Sequence, residues 1–568
     1  MPTVEYIRED LESLIGTPLP REDGALNEIL LYVKGEVKHV DDEEIHIEFK
    51  DSNRADLWGA EGLARALRGI MGLEKGLKKY EIKGNSGVDV FVDRRLSNIR
   101  PYIACSVVKN VKLTGAAIRQ LMHFQDKLDQ TYGRDRRKTS IGLYNFDLIN
   151  PPLDYKVAEP EEIRFIPLDF DNELSLKEIL ELHPKGLKYA HLVRPHPVWP
   201  IFMDSKKKVL SFPPIINSND LGRITEETVN VLVEVTGTSH KTVQDTLRNV
   251  TFALADRGGE IYTVKVHYPC ENMGVEVTPR IETEKHKIEI RYVQKILGLD
   301  INLSQVIEYL EMFRYGVTEI SESHISVEVP CYRVDVLHPI DIVEDIAIAH
   351  DYNKIQPRWP QLSTVGGLSE KTRLADITRE LMIGLGFQEV LTYSLTSQEI
   401  LFAKMNVEPE KVVEIANPKL TSMTCLRSWL LPCLMEFLSH NLHVEYPQRI
   451  FEVGPCVIPD PKEENKVREF NDLAAVIIHS EANFTEAKSI LDAFLSNLGI
   501  AYEILECDHG SFIQGRTGRI MVGDEEAGII GEIHPQVLWN WNLENPSAAF
   551  EINIDKLRKH LKTSGRGT

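Results

Sequence analysis

Four carboxylates lie within eleven positions of one another in the otherwise apolar segment "CYRVDVLHPIDIVEDIAIAHDY", residues 331–352. They are Asp335, Asp341, Glu344 and Asp345. A helix that begins near Asp341, after Pro339, places Asp341, Glu344 and Asp345 on one stripe at i, i+3 and i+4. Asp335 meets them if the intervening loop folds back. An all-oxygen cluster of this kind is what a hard cation such as Mg²⁺ requires.

The same spacing has an interpretation without a metal. Acidic residues in the first turn of a helix are stabilised by its macrodipole, by about 0.3 to 1 kcal/mol each, and Arg333 is placed to pair with one of them. Mg²⁺ keeps several waters and binds one or two carboxylates, so four protein ligands on one ion would be unusual. A site shared with an Arg or Lys of a partner explains the surplus charge better. Ile342, Ile346 and Ala349 lie on the opposite side of the helix and are predicted to be core.

A second constellation lies between residues 199 and 243. In "TVNVLVEVTGT" the valines 229, 231, 233 and 235 share one face, which leaves Glu234 and Thr236 on the other. Polar side chains on one face inside a strand indicate a pocket or a solvated surface. "PIFMDSKKKVLSFPP" adds Phe202 and Ser211 as pocket wall and hydroxyl, which predicts a small-molecule site. Thr238 and Ser239 are predicted to cap the helix that follows.

The charge balance limits the possible partners. Lys and Arg number 65 and Asp and Glu 86, a net charge of −21, which opposes a protein that coats nucleic acid. RNA contact must therefore be local. One basic patch is "RDRRK", in which RNA contact and plain surface are equally favoured for Arg134, Arg136, Arg137 and Lys138. The lysines of residues 75–83 form another basic patch. The lysines of "KKK" at 206–208 are predicted to form a hairpin tip.

Several classes of protein lose support. No run of eighteen apolar residues and no signal-like N-terminus is present, so a membrane span and secretion are not expected and the cytoplasm is the predicted location. Seven scattered cysteines, none in a C-x-x-C pair, argue against a zinc site or a disulfide framework, and most are predicted to be buried. The P-loop, G-x-S-x-G and H-E-x-x-H patterns are missing.

The chain divides into regions of different pattern. Residues 57–73 carry helical periodicity, and before them Asn53 and Asp56 are predicted as turn and cap, with orientation of Arg54 as the alternative. Residues 84–270 mix strands and helices. From about 275 to 355 two short helices lead to the strand "HISVEVP". "QPRWPQL" (356–362) is predicted to be a linker, and a long α/β block with a frayed basic tail follows.

Five ordered motifs then resemble one family. "SNRADLWGAEGLARAL", "FPPIINSNDLGRITEETVNVLVEVTGT", "YRVDVLHPIDIVEDIAIAHDYNKI", "LRSWLLPCLMEFLSHN" and "YPQRIFEVG" are similar to the β subunit of phenylalanyl-tRNA synthetase, of the archaeal and eukaryotic type. The resemblance covers nearly the whole chain. It implies a multidomain α+β protein. The first two domains would be an N-terminal small α/β domain (1–83) and an α+β editing domain of B3/B4 type (84–274). A B5-like, winged-helix-like or DNA-binding-like domain with a magnesium motif (275–356) would follow, then an inactive class II synthetase-like domain with an antiparallel sheet and helices (357–556) and a disordered tail (557–568).

The resemblance also implies roles. The editing domain hydrolyses tyrosine wrongly attached to the phenylalanine tRNA, with Phe202, Ser211, Glu234 and Thr236 lining its pocket and Glu234 or Thr236 recognising the tyrosine hydroxyl or positioning water. Asp335, Asp341, Glu344 and Asp345 match the family's Mg²⁺ motif, completed at the contact with the α subunit. A working class II site needs one arginine in a Phe-Arg-x-Glu strand and another after a glycine-rich strand, to hold the phosphates of ATP. The corresponding strands here read "QRIFEVG" and "GIIGEIHP", which depart from that pattern and have no arginine at the end.

That departure implies that ATP is bound by the α subunit, in an (αβ)₂ heterotetramer that also binds the phenylalanine tRNA. Two alternatives remain open. One is a non-catalytic RNA-binding scaffold related to synthetases, and the other is a self-sufficient synthetase.

Overall fold

The computed structural model describes residues 2–50, 52–269, 273–321 and 323–561. These residues form two compact units, residues 1–359 and residues 360–568. Within the described residues no helix is both long enough and apolar enough to cross a membrane. The stretch predicted as a linker has no helix or strand and falls where the two units divide.

The first unit begins with a small α/β region. Its three-stranded antiparallel sheet has the order Thr3–Ile7, Glu44–Phe49, Gly35–Val40, and its helices are Arg8–Ile15, Asp23–Leu30 and Ala60–Ile70. The apolar face of the third helix packs into the same hydrophobic core as the helix Gly115–Gln130 and the strand Val231–Gly237 of the next region. The two regions therefore share one core.

A ten-stranded sheet dominates the first unit. The order of nine strands is Ile216–Asn217, Val209–Phe212, Trp199–Asp204, Leu153–Ala158, Ile82–Val92, Glu260–His267, Tyr102–Lys109, Val231–Gly237 and Thr139–Asn145, and Val275–Thr278 pairs beside Glu260–His267. Helices are Gly115–Gln130, Leu176–Leu182, Pro184–Tyr189 and His240–Asp256, and a short ribbon pairs Arg164–Phe165 with Leu174–Ser175. The sheet thus runs past residue 274, the predicted end of this domain.

The strand Val231–Gly237 lies between two antiparallel neighbours, and every one of its residues is buried. Val231, Val233 and Val235 face one hydrophobic core, and Leu232 faces another. The predicted alternation is therefore present, although the strand begins two residues after the exposed Val229. Burial on both faces is what places Glu234 and Thr236 inside the protein.

The remainder of the first unit is a small domain of helices and a three-stranded sheet. The strand order is Glu284–Glu289, His324–Val329, Gly316–Thr318, and the helices are Ile290–Leu297, Leu303–Met312 and Pro339–His350. The predicted pair of short helices before the strand at 324–329 is confirmed. Ile342, Ile346 and Ala349 are buried in this domain's core, as predicted.

The second unit is built on a seven-stranded sheet in the order Gln388–Glu389, Gln448–Pro459, Val467–Ile478, Ser547–Asn553, Glu525–Ile533, Phe512–Val522, Glu503–Glu506. All neighbours are antiparallel except the first pair. Helices are Glu370–Gly384, Leu431–His440, Phe484–Asn497, Pro535–Asn540 and Ile554–Leu557, and Leu395–Thr396 pairs with Cys425–Leu426. The helices form separate cores with the two faces of the sheet.

Several local predictions have a different outcome. Asp56 caps no helix; it pairs with the Arg54 guanidinium (Oδ2 to Nη2 2.7 Å), which was the alternative. Ser239 makes no side-chain cap to the helix His240–Asp256, and Thr238 Oγ1 donates instead to the Arg137 carbonyl. Leu557 is buried, so the predicted disordered tail does not begin there; residues 562–568 lie outside the described residues.

The lysines at 206–208 form an exposed hairpin tip, as predicted.

Candidate functional site

A cavity of about 480 Å³ opens at the end of the ten-stranded sheet, between the helix Gly115–Gln130 and the segment of residues 211–217. Its volume lies in the range typical of small-molecule sites. Of the four residues predicted to form a pocket, Ser211 and Glu234 line this cavity, whereas Phe202 and Thr236 are not among its lining residues. The predicted pocket therefore exists, with two of its four expected members at its surface.

Glu234 lies on the floor of the cavity and is 2 % exposed. The Tyr144 hydroxyl donates to its Oε2 at 2.7 Å, while Oε1 has no hydrogen-bond partner among the described residues. Burial raises the pKa of Glu234 to about 7, although the Tyr144 hydrogen bond and the charge of Arg100 partly oppose that rise. Glu234 thus has one carboxylate oxygen held by Tyr144 and one that still lacks a hydrogen-bond donor within the described structure.

Ser211 supplies a hydroxyl to the cavity wall. Its cross-strand partners are Phe202 and Asn217, and its Oγ is buried and has no hydrogen-bond partner in the described part of the chain. Phe202 is fully buried and packs edge-on against the rings of Tyr144 and Tyr155. Phe202 therefore packs beside Ser211 and against Tyr144 without lining the cavity itself.

Thr236 is held by a buried arginine. Arg100 donates from Nε to Thr236 Oγ1 at 3.0 Å and from Nη2 to the Thr236 carbonyl at 2.7 Å, and it also reaches Ser140 Oγ at 3.0 Å. Arg100 is 3 % exposed, and burial lowers its pKa. Because the Thr236 hydroxyl is already engaged, its position favours support of the strand over contact with a ligand.

Arg136 belongs to the cavity wall. It is buried, its Nε lies 2.9 Å from Asp129 Oδ2, and its Nη1 donates to the carbonyls of Pro214 and Ile215. Burial raises the pKa of Asp129 to about 6. Within "RDRRK" only Arg134, Arg137 and the half-buried Lys138 therefore remain available to RNA.

The four carboxylates of residues 335–345 line a second, smaller cavity of about 120 Å³ in the first unit. The cations around it belong to this chain: Lys34, Arg54 and Arg333 line it as well. The charge that the sequence assigned to a partner's Arg or Lys is thus balanced within the chain. No three of these carboxylates bring their oxygens within 4.8 Å of one another in the described structure.

Arg333 explains why the carboxylates do not converge. Its guanidinium makes two hydrogen bonds to Asp335 (2.7 and 2.8 Å) and one to Asp345 Oδ2 (2.8 Å), and it is 98 % buried. The Tyr315 hydroxyl donates to the same Asp345 oxygen at 2.6 Å. Burial by itself would raise the pKa of Asp335, but the Arg333 charge and hydrogen bonds outweigh burial and lower it.

Asp341 and Glu344 are less constrained. Asp341 lies in the first turn of its helix, as the interpretation without a metal assumed, and its Oδ2 also accepts from the backbone N–H groups of Leu337 and His338 at 2.8 Å each. Glu344 Oε1 lies 2.6 Å from Lys34 Nζ, and the Glu344 side chain is 49 % exposed. Oxygen donors around a small polar cavity suit Mg²⁺, and one or two carboxylates with waters are its usual protein ligands. The residues present therefore fit the ion, with Asp341 and Glu344 as the accessible donors.

A third polar cluster is buried in the second unit. Cys456 Sγ and one oxygen each of Asp472 and Glu551 lie within 4.8 Å of one another. The Glu551 oxygens accept from the backbone N–H groups of Leu430 and Leu431 at 2.7 and 2.8 Å. Burial and the Glu551 charge raise the pKa of Asp472 well above its usual value. The raised pKa favours the protonated form of Asp472 beside Glu551, and the N-terminus of the helix Leu431–His440 stabilises the negative charge of Glu551.

This cluster predicts an inverse pH dependence of stability. Because folding raises the pKa of Asp472, the folded state keeps a proton that the unfolded state loses above about pH 4, so the second unit loses stability as pH rises. We expect Asp472→Asn to remove this loss. The free energy of unfolding of the second unit is measured by urea titration at about pH 5 and about pH 8. Unfolding is followed by pulsed hydrogen exchange on peptides of Val467–Ile478. The exposed Asp524→Asn serves as control, and an equal pH dependence in Asp472→Asn and the unmodified chain would contradict the interpretation.

Sequence reasoning missed Tyr144, Arg100 and the inward-facing Arg136. Each contacts the site across a separation of more than 70 residues, so no local pattern marks it. Gly142, inside the strand Thr139–Asn145, was a usable signal, because a glycine in a strand interior indicates that another group approaches closely.

Comparisons with known proteins agree with these two units. A model of the phenylalanyl tRNA synthetase beta chain CLM domain matches residues 355–554, and one of the tRNA synthetase B5 domain matches residues 286–352. Relatives named phenylalanine–tRNA ligase beta subunit are 46 % identical over 561 residues in Pyrococcus furiosus and 40 % over 559 in Methanocaldococcus jannaschii. Each match covers 98 % of this chain and 100 % of the relative.

A solved structure matches more than half of the chain. An N-terminal fragment of the phenylalanyl-tRNA synthetase beta subunit from Pyrococcus horikoshii aligns at 39 % identity with a TM-score of 0.59, over 62 % of this chain and all of the fragment. Sequence similarity over nearly the full length and structural similarity over more than half of it agree: the chain belongs to the phenylalanine–tRNA ligase beta subunit family.

Proposed function

We propose that this chain is the β subunit of a phenylalanine–tRNA ligase, which attaches phenylalanine to its tRNA together with an α subunit, and that the cavity at Glu234 hydrolyses tyrosine wrongly attached to that tRNA. The names of the full-length relatives support the first part. The observation that carries the second part is that Glu234 lines the cavity and that its buried carboxylate oxygen Oε1 has no hydrogen-bond partner among the described residues.

Tyrosine differs from phenylalanine by one hydroxyl, and a hydrophobic pocket rejects an isostere with an added hydroxyl only weakly. A second site that requires the hydroxyl corrects the error. A phenol in the cavity donates to Glu234 Oε1, whereas a phenyl ring leaves that oxygen buried and unpaired, which costs about 1 to 3 kcal/mol or more.

The cavity residues favour a water nucleophile. Ser211 Oγ has no partner in the described ranges, so no base there activates it. His183 also lines the cavity, but its Nδ1 accepts from the Lys185 N–H and its Nε2 lies 3.2 Å from the Leu168 carbonyl. We therefore assign the side chains to binding and orientation of the aminoacyl group, and the attack on its ester to water.

A charging assay with tyrosine tests the editing role. With α subunit, ATP, tyrosine and phenylalanine tRNA present, we expect continued formation of AMP without accumulation of tyrosyl-tRNA. Stable accumulation of tyrosyl-tRNA contradicts editing. If the chain binds the tRNA but no ester is hydrolysed above background, the RNA-binding scaffold is the better description.

The second unit is proposed to be inactive in amino-acid activation, with ATP bound by the α subunit. Arg427 is buried and bound to Glu452, Thr392 and the Pro455 carbonyl, and Arg449 pairs with Glu486. These arginines are therefore committed to internal partners. We expect no phenylalanine-dependent ATP–pyrophosphate exchange by this chain alone, and exchange once α is added. Exchange without α would identify a self-sufficient synthetase.

The carboxylates of residues 335–345 are proposed to hold Mg²⁺ at the contact with α in an (αβ)₂ assembly. When bound, the ion would neutralise Asp341 and Glu344 at that surface and fix their orientation. Native mass measurement of the purified protein tests the stoichiometry, and equal copy numbers of two chains are expected.

Replacement of Asp341 tests the metal. We expect Asp341→Ala to weaken association with α and to reduce its response to Mg²⁺, as measured by analytical ultracentrifugation with and without the ion. Because Asp341 also accepts two backbone N–H groups, Asp341→Asn is the matched control, since it retains an acceptor and loses the charge. Both variants should lose the Mg²⁺ response. Unchanged assembly and ion binding in both would rule out the site.

A further inference from the structure

The register of two strands brings a glycine and a tyrosine to Glu234. In the antiparallel pair of Val231–Gly237 with Thr139–Asn145, Gly142 lies directly opposite Glu234 and Tyr144 directly opposite Leu232. Residues two apart on a strand face the same side, so Tyr144 and Glu234 are diagonal neighbours. The Tyr144 hydroxyl reaches across this diagonal and donates to Glu234 Oε2 at 2.7 Å.

The diagonal contact depends on the missing side chain at position 142. A Cβ there would lie 2.1 Å from the Tyr144 hydroxyl oxygen and 2.5 Å from Glu234 Oε2. Atoms do not approach so closely, so a side chain at 142 would displace both groups. Gly142 is required here because of the close approach of these two groups across the pair of strands.

Tyr144 is itself fixed. It is fully buried, and Phe202 packs edge-on against it with 6.3 Å between ring centroids. Its hydroxyl also lies 3.4 Å from Asn217 Oδ1, but it has one hydrogen, and the shorter contact is to Glu234. One carboxylate oxygen of this cavity-lining residue is therefore held, and the other has no partner among the described residues.

We infer that Tyr144 and Gly142 are positioning residues that make the cavity selective for a phenolic side chain, by holding Glu234 Oε2 so that Oε1 is the oxygen presented to the ligand. This inference rests on the proposed editing function and adds the residues that set its specificity.

Loss of the hydroxyl has two expected effects. In Tyr144→Phe, Oε2 has no donor, the carboxylate is free to turn, and the preference for tyrosyl- over phenylalanyl-tRNA falls about tenfold or more, the value of one hydrogen bond to a charged group. The lost donor had also favoured the ionised form of Glu234. The pH at which selectivity is half-maximal therefore moves upward from about 7.

The experiment uses the complex with α and preformed tyrosyl- and phenylalanyl-tRNA without ATP, so that hydrolysis is measured without recharging. Rates are compared from about pH 5.5 to about pH 9 for the unmodified complex, Tyr144→Phe, Gly142→Ala and the control Tyr155→Phe. Tyr155 also packs edge-on against Phe202 and is fully buried, but its hydroxyl donates to the Arg100 carbonyl. The control thus loses a buried hydroxyl that does not touch Glu234.

We expect Tyr144→Phe and Gly142→Ala to lose selectivity, Tyr144→Phe to shift the pH profile upward, and Tyr155→Phe to do neither. Suppose that the unmodified complex hydrolyses tyrosyl-tRNA and that Tyr144→Phe leaves selectivity and pH profile unchanged. That result overturns the positioning role and leaves the editing function standing. An equal shift in Tyr155→Phe also overturns it. An unmodified complex that hydrolyses neither ester removes the editing function itself, and the inference with it.

Discussion

Replacement of Glu234 by methionine is expected to slow hydrolysis of tyrosyl-tRNA by about 10- to 100-fold and to remove its preference over phenylalanyl-tRNA. Methionine has a similar length and fills the same space, but it offers no acceptor to a phenol. The cavity then becomes a hydrophobic pocket, which discriminates weakly between the two side chains.

Single-turnover deacylation of both esters measures this effect. Glu234→Gln is the matched variant, because it keeps polar atoms at the same place and loses the charge; we expect an intermediate loss of selectivity. Attachment of phenylalanine, assigned to α, should be unaffected in both variants. Equal loss of phenylalanine attachment would mean that Glu234 supports the assembly as a whole.

Replacement of Arg333 by methionine is expected to lower the free energy of unfolding of the first unit by about 3 to 5 kcal/mol. Asp335 and Asp345 are largely buried and both bind this guanidinium, so its loss leaves two buried carboxylates without their main counter-charge. Urea titration of the full chain, read by pulsed hydrogen exchange on peptides of Pro339–His350, measures the change.

The control is Arg95→Met. Arg95 pairs with Asp93 at the surface and is 65 % exposed, so its loss should change the free energy of unfolding far less than the loss of Arg333 does. The Arg333 effect also depends on pH with a definite sign. Because Arg333 lowers the pKa of Asp335, the stabilisation is fully present above the unfolded value near pH 4 and is lost in stronger acid. Equal losses for the two variants at pH 7 would contradict the account of the cluster.

The sequence predicted the parts of the fold that local patterns determine. The helix Pro339–His350 follows from a proline at its start and from apolar residues at helical spacing, and its buried face is the predicted one. The strand Val231–Gly237 follows from alternation, which also placed Glu234 and Thr236 on one face. Alternation carries no information on which part of that face a cavity uncovers, so it could not separate Glu234 from Thr236.

The remaining features depend on which cation binds each carboxylate, whether that cation is near or distant in the sequence. The sequence identified Arg333 as a possible partner of the carboxylates, but it could not show that one guanidinium binds two of them. Lys34 reaches Glu344 across 310 positions. Asp56 was predicted to cap a helix, which is its usual role near a helix start, but a neighbouring arginine two positions away binds it instead. In each case a cation binds a carboxylate that the local sequence pattern had predicted to be a metal ligand or a helix cap.

The cavity at Glu234 is proposed to recognise a phenolic hydroxyl. The most direct test of this proposal is the initial rate of deacylation of tyrosyl- and phenylalanyl-tRNA, prepared on the same tRNA and given to the same complex with α in the absence of ATP. We predict that the tyrosyl ester is hydrolysed at least about tenfold faster. Equal rates for the two esters, or hydrolysis of neither, would contradict the claim.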